Sequence, residues 1–152
     1  GACFATKKPT IVFLGDAAAE EDYVLGALGW ASHKKLPILF IIEDNDFSIL
    51  TKKNVRRNWN MKDVARSFKL EGHDIKDHPK EIIKNSNLFF KKPMLLNINT
   101  NRIYWHAGAG MDSDKTFDLY KKELKILGPQ AKKIDEYYKT YNKKIWKSRL
   151  EK

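Results

Sequence analysis

The chain has a single cysteine, Cys3, which excludes an internal disulfide framework and any zinc site built on several thiolates. A lone thiol fits a reducing compartment. No apolar run is long enough to span a bilayer, and the first residues lack the basic-then-apolar layout of a signal peptide, so a cytoplasmic location is the expectation. Internal repeats and low-complexity linkers are missing too. Acidic residues are in deficit: 19 Asp and Glu stand against 29 Lys and Arg, a formal charge of +10. That balance raises nucleic acid or an anionic membrane surface as partners. No RNA-binding signature, zinc finger or helix-turn-helix pattern accompanies it. Residues 113–152 hold twelve Lys and Arg against six Asp and Glu, so much of the excess decorates the carboxyl-terminal segment. Solvated helix faces are the first account of it, with a functional basic surface as the alternative.

What is present is a chain of 152 residues, 42% hydrophobic, enough for one domain with a real core. Its opening, Gly1 to Thr6, reads as the end of a small-residue helix. The expectation is a fragment lacking its amino-terminal part, or one piece of a split enzyme.

The informative stretch is 10–47. Ile11 to Leu14 is a short continuous apolar run, the pattern of a strand covered on both faces. Gly15-Asp16-Ala17-Ala18 turns the chain outward. From Glu20 to Ser32, Tyr23, Val24, Ala27, Leu28 and Ala31 recur at helical spacing behind an acidic first turn. Gly26 and Gly29 inside this helix suggest a close approach, by another backbone. Leu36 to Ile42 is a second buried strand, so residues 10–42 form one βαβ unit. A right-handed crossover puts Asp16 and Asn45 side by side at the carboxyl-terminal sheet edge, where open α/β sheets bind ligands. A carboxylate and an amide at that edge suit a hard cation that holds a diphosphate.

Downstream, residues 50–61 lack periodicity and read as a surface loop bearing Lys52, Lys53, Arg56 and Arg57. Met61 to Leu70 reads as a short helix burying Val64, Ala65 and Phe68, followed by an extended piece around Asp74-Ile75-Lys76. Pro79 can start a helix with Ile82, Ile83, Ser86, Phe89 and Phe90 on one face. Pro93 to Asn99 is the next strand. The loop Tyr104-Trp105-His106-Ala107-Gly108-Ala109-Gly110 follows its carboxyl end. From Ser113 the pattern is helical, broken at Gly128-Pro129, with an apolar stripe of Ile134, Tyr137, Tyr138, Tyr141 and Ile145 expected to pack. The fold class is therefore α/β, a mostly parallel doubly wound sheet with helices on both faces and a carboxyl-terminal helical extension. The division falls into residues 1–112 and 113–152.

These motifs resemble the diphosphate-binding domain of thiamine diphosphate enzymes in the transketolase-like superfamily, and in particular the alpha subunit of 2-oxo acid dehydrogenase E1 components. The family carries Gly-Asp-Gly, a helix, then Asn-Asn after the next strand. Here Gly15-Asp16-Ala17 and Asp44-Asn45 stand in those places, with Asp16 and Asn45 29 residues apart. Lys35-Leu36-Pro37-Ile38 and Asn45-Asp46-Phe47-Ser48-Ile49 resemble the flanking text, and Thr100-Asn101-Arg102 with His106 resembles a third motif. The likeness covers roughly residues 1–127.

The resemblance implies thiamine diphosphate and Mg²⁺ as cofactors. Asp16, Asn45 and the Phe47 carbonyl are the implied metal ligands. Gly15 and the backbone amides of Ala17 and Ala18 would meet the diphosphate at the start of the following helix, with Ile49 against the cofactor's organic part. His106 is the implied catalytic residue, reaching the diphosphate or substrate region. Alanine at 17, where the family has glycine, would be strained at positive φ. The implied activity is that of an oxidoreductase on a small 2-oxo acid, inactive alone, because the activating glutamate belongs to a pyrimidine-binding domain or beta-type subunit. A lipoyl-bearing acyltransferase is a further implied partner, and the implied assembly is a dimer or heterotetramer. Two other readings stay open: a non-catalytic relative acting as a scaffold, and a basic α/β module binding nucleic acid.

Overall fold

The structure, a computed structural model, describes residues 1–87, 89–103 and 118–151. The chain divides into two units, Gly1–Thr116 and Phe117–Lys152.

The first unit opens with a one-turn helix α1 (Ala2–Thr6), which buries Cys3 and ends on Lys7 in the left-handed region. Strand β1 (Thr10–Gly15) leads through a 3₁₀ turn at Ala18–Glu20 into helix α2 (Asp22–His33). Strand β2 (Ile38–Asp44) is followed by a two-residue ladder, β3 (Phe47–Ser48) with β4 (Thr51–Lys52). Helices α3 (Lys53–Arg56) and α4 (Met61–Ser67) come next, then strand β5 (Glu71–Lys76), helix α5 (Pro79–Ser86) and strand β6 (Met94–Asn99). The four longer strands form one parallel sheet in the order β1-β2-β6-β5.

Burial follows from that order. The central strands β2 and β6 are buried almost throughout, which is why each reads as an unbroken apolar run. On one face Val24, Leu28 and Ala31 of α2 and Met61 and Ala65 of α4 close over Ile38, Phe40, Ile42 and Leu95. On the other, Leu39, Ile41, Leu96 and Ile98 meet Ile75, Phe89 and, from α5, Ile82. Helices thus cover both faces, but not evenly. The expectation that β1 is covered on both faces fails: it is an edge strand, and Ile11 and Phe13 stand 47% and 64% exposed. An apolar run measures a strand's capacity for burial; the strand order decides whether it is used.

Two glycines separate guess from geometry. A Cβ at Gly29 would lie 3.3 Å from the Phe68 ring, and one at Gly26 would meet open space, so α2 is not approached there by another backbone. The real close approach is at Gly72, where a Cβ would sit 2.6 Å from the Lys62 carbonyl oxygen. Absence of a side chain there lets α4 rest directly on β5. Phe68, expected in the core, is partly exposed at the end of α4. Pro79 stands at the start of α5 behind a His78 cap that accepts the Lys80 N–H.

The second unit holds helices α6 (Leu119–Leu127) and α7 (Pro129–Leu150). Asp118 caps α6 by accepting the Lys121 N–H at 2.9 Å, and Gly128, at φ +60°, makes the break that Gly-Pro foretold. The stripe Ile134, Tyr137, Tyr138, Tyr141 and Ile145, expected to pack, is exposed at all five positions. Among the described residues, no helix is long and apolar enough to cross a membrane.

Candidate functional site

Parallel register fixes what meets at the carboxyl-terminal sheet edge. Gly15 pairs with Glu43 and Asp44 with Asn99, so the turn holding Asp16 lies beside the end of β2 and Asn45 one residue beyond. Two carboxylates are buried at this edge, Asp16 and Asp44, at 2% and 4% exposure. Buried anions must be compensated, and each has found a cation.

Asp44 is enclosed by its own neighbourhood. Its Oδ2 accepts from Lys53 Nζ at 2.7 Å and from Asn97 Nδ2 at 3.0 Å, and its Oδ1 accepts the Asp46 N–H at 3.1 Å. Burial pushes its carboxyl up, but Lys53, Asn97 and the Asp46 amide together hold it below the ordinary carboxylate value. Asn97 also donates to Asp74 at 3.0 Å, which links the ends of β2, β6 and β5. The Thr100 N–H closes the edge by donating to the Asp44 carbonyl at 2.8 Å.

Asp16 depends on a distant arginine. Arg56 donates through Nη2 to Asp16 Oδ2 and through Nη1 to Glu20 Oε1, the latter at 2.6 Å. Arg57, buried beside it, places Nε 3.3 Å from the same Glu20 oxygen, and its guanidinium lies over the Trp59 ring at 4.7 Å. The region 50–61 is therefore no plain surface loop: it carries α3 and supplies the counter-charges for the edge. Sequence reading missed Lys53, Arg56, Arg57 and Asn97 as members of the site. The available signal was charge complementarity between Lys52-Lys53 with Arg56-Arg57 and the acidic residues Asp16, Glu20 and Asp44.

The remaining candidates are placed unevenly. Ala17 has φ −74° and ψ −40°, an ordinary right-handed conformation, so alanine there carries none of the strain expected at positive φ. Ala17 and Ala18 begin the 3₁₀ turn rather than α2, whose cap is Glu21; the expected helix start is displaced by one short turn. Asn45 Oδ1 accepts the Phe47 N–H at 3.0 Å, a side-chain turn that carries the chain from β2 into β3. Ile49 sits at φ +54°, a conformation unfavourable for a β-branched residue, with its carbonyl accepting from Arg102 Nη2 at 2.6 Å. His106 and its loop lie outside the described residues.

One carboxylate, one amide and one main-chain carbonyl at neighbouring strand ends make an all-oxygen donor set suited to a hard cation. Among the described residues, no group of three or more His, Cys, Asp or Glu could hold a metal.

The open parallel sheet, with helices on both faces and a polar carboxyl-terminal edge, is the α/β architecture of a class of domains whose ligands bind beyond the strand ends. The chain belongs to the dehydrogenase E1 component family, whose model matches residues 3–148. It is similar to the pyruvate dehydrogenase E1 component subunit alpha of Rickettsia typhi, 30% identical over 151 residues, spanning 89% of this chain and 45% of that protein. The corresponding subunits of Rickettsia prowazekii and Rickettsia felis are 28% and 25% identical over similar spans. The chain thus spans less than half the length of these curated relatives.

Proposed function

We propose that this chain is the cofactor-anchoring domain of a thiamine diphosphate-dependent E1-type 2-oxo acid dehydrogenase. The observation that supports this reading is the register that sets the turn holding Asp16 beside the end of β2, with Asn45 just beyond, at the carboxyl-terminal edge of a sheet in a chain of this family. Asp16 through its carboxylate, Asn45 through its amide oxygen and Phe47 through its carbonyl would hold Mg²⁺, and the metal would hold the diphosphate. Gly15, Ala17 and Ala18 would line the diphosphate, with Ile49 against the organic part and His106 toward the reacting end. When bound, thiamine diphosphate supplies an electron sink for decarboxylation of a 2-oxo acid. The residues of this chain do the anchoring: they hold the metal and orient the phosphates. A pyrimidine-binding domain or beta-type subunit would supply the activating glutamate, in a dimer or heterotetramer, with a lipoyl-bearing acyltransferase as acceptor.

A second reading has its own observation. Asp16 and Asp44 already carry Arg56 and Lys53 as counter-ions, which suits a relative that kept the fold as a scaffold without the cofactor. Calorimetry decides between them. With thiamine diphosphate and Mg²⁺ added to the chain and its beta-type partner, the enzyme reading expects saturable binding that Asp16→Ala weakens about a hundredfold. No binding by the unaltered complex supports the scaffold.

A further inference from the structure

The Arg56–Asp16 pair presents a conflict that the cofactor reading leaves open. Asp16 is the carboxylate expected to take Mg²⁺, and it is 2% exposed with a guanidinium already on it. Arginine keeps its charge at any physiological pH, so Arg56 cannot leave by losing a proton. Arg56 holds one oxygen of Asp16, Oδ2, and a divalent ion that takes that oxygen must displace the guanidinium, because the two cations repel each other there.

Arg56 is built to move a short way. Its second terminal nitrogen is on Glu20, which stays available when Asp16 is taken. Its Nε is buried with no hydrogen-bond acceptor among the described residues, and so is Nη1 of Arg57 next to it. Buried guanidinium N–H groups left unpaired are costly, and a phosphate oxygen is the acceptor that a guanidinium fork suits best. The charges agree. Two arginines against Asp16 and Glu20 make a neutral cluster; adding a divalent ion to Asp16 leaves two positive charges for an incoming diphosphate.

We propose that Arg56 is an exchangeable counter-cation: it neutralises Asp16 while the site holds no divalent ion, gives Asp16 up when one binds, and turns to the diphosphate. The proposal rests on the cofactor reading above and adds a residue with two successive partners. It predicts opposite effects of one substitution on the two ligands, which a merely structural ion pair would not produce.

The test uses the full chain, Mn²⁺ as a spectroscopic stand-in for Mg²⁺, and inorganic pyrophosphate. Free Mn²⁺ is followed by its paramagnetic resonance signal. Arg56→Gln should bind Mn²⁺ alone about tenfold more tightly than the unaltered chain, and should bind pyrophosphate in the presence of Mn²⁺ about tenfold more weakly. Arg56→Lys, which keeps a charge with a shorter reach, should fall between. If Arg56→Gln leaves Asp16 uncompensated and unfolds, Mn²⁺ should restore its circular dichroism, and should fail to do so in Asp16→Asn/Arg56→Gln. Mn²⁺ affinity that is unchanged or weaker in a folded Arg56→Gln overturns the exchange, as does failure of Mn²⁺ to rescue the unfolded variant. Undiminished pyrophosphate binding also overturns it. The cofactor reading itself falls only if the complex with its partner binds no thiamine diphosphate, an outcome independent of the Mn²⁺ comparison.

Discussion

Asp16 and Asp44 sit on adjacent strand ends, are equally buried, and are compensated in different ways. Asp44 draws on a lysine nine positions away, an amide on the next strand and a backbone N–H, so both its oxygens are engaged by groups that the fold must place there anyway. Among the described residues Asp16 leans on one side chain 40 residues downstream, whose own donors are incompletely used. A carboxylate held by three donors belongs to the architecture. One held there by a single replaceable partner is free to serve chemistry.

The sharpest way to break this contrast is alanine at each position. Asp44→Ala removes the acceptor that Lys53, Asn97 and the Asp46 amide share and should cost about 3 kcal/mol in urea unfolding. Asp16→Ala leaves Arg56 on Glu20 and should cost clearly less, while abolishing the metal response. Equal losses would erase the distinction. A smaller effect follows from Lys53→Met, which removes the ammonium 2.7 Å from Asp44. Burial raises the Asp44 carboxyl, and Lys53, with Asn97 and the Asp46 amide, brings it below its usual 3.8. Its contribution is therefore complete above that value and is lost as the pH falls through the depressed pKa. Without Lys53 the acid-unfolding midpoint should shift to higher pH, with a neutral-pH cost of about 1 kcal/mol because the lysine is partly exposed. The smallest effect belongs to Ile49. Asparagine tolerates φ +54° better, so Ile49→Asn should raise stability by about 0.5 kcal/mol, read from the urea midpoint.

Much of this fold is legible in the residues themselves. The βαβ unit, the buried runs of β2 and β6 and the start of α5 at Pro79 follow from local pattern, and the parallel pairing of β1 with β2 follows from the unit. What escapes is long-range. Residues 50–61 have no periodicity, because α3 is one short turn; nothing local says that Arg57 is buried or that Arg56 reaches back to Asp16. Strand order escapes as well, and with it the exposure of Ile11 and Phe13. At Ala17 the residue type alone does not say whether the turn has positive φ; it is right-handed, so the strain that positive φ would bring does not arise.

The position of β1 has a consequence for handling the protein. Thr10 to Gly15 contains no charge and no proline, pairs with β2 on one side, and has no partner strand on the other among the described residues. Natural sheets blunt such edges with lysine, proline or a bulge. Here none stands within the strand, and Ile11 and Phe13 are exposed on the sheet face opposite packed Val12 and Leu14. At high concentration the isolated chain is therefore prone to add strands edge to edge, and its solubility depends on whatever shields β1.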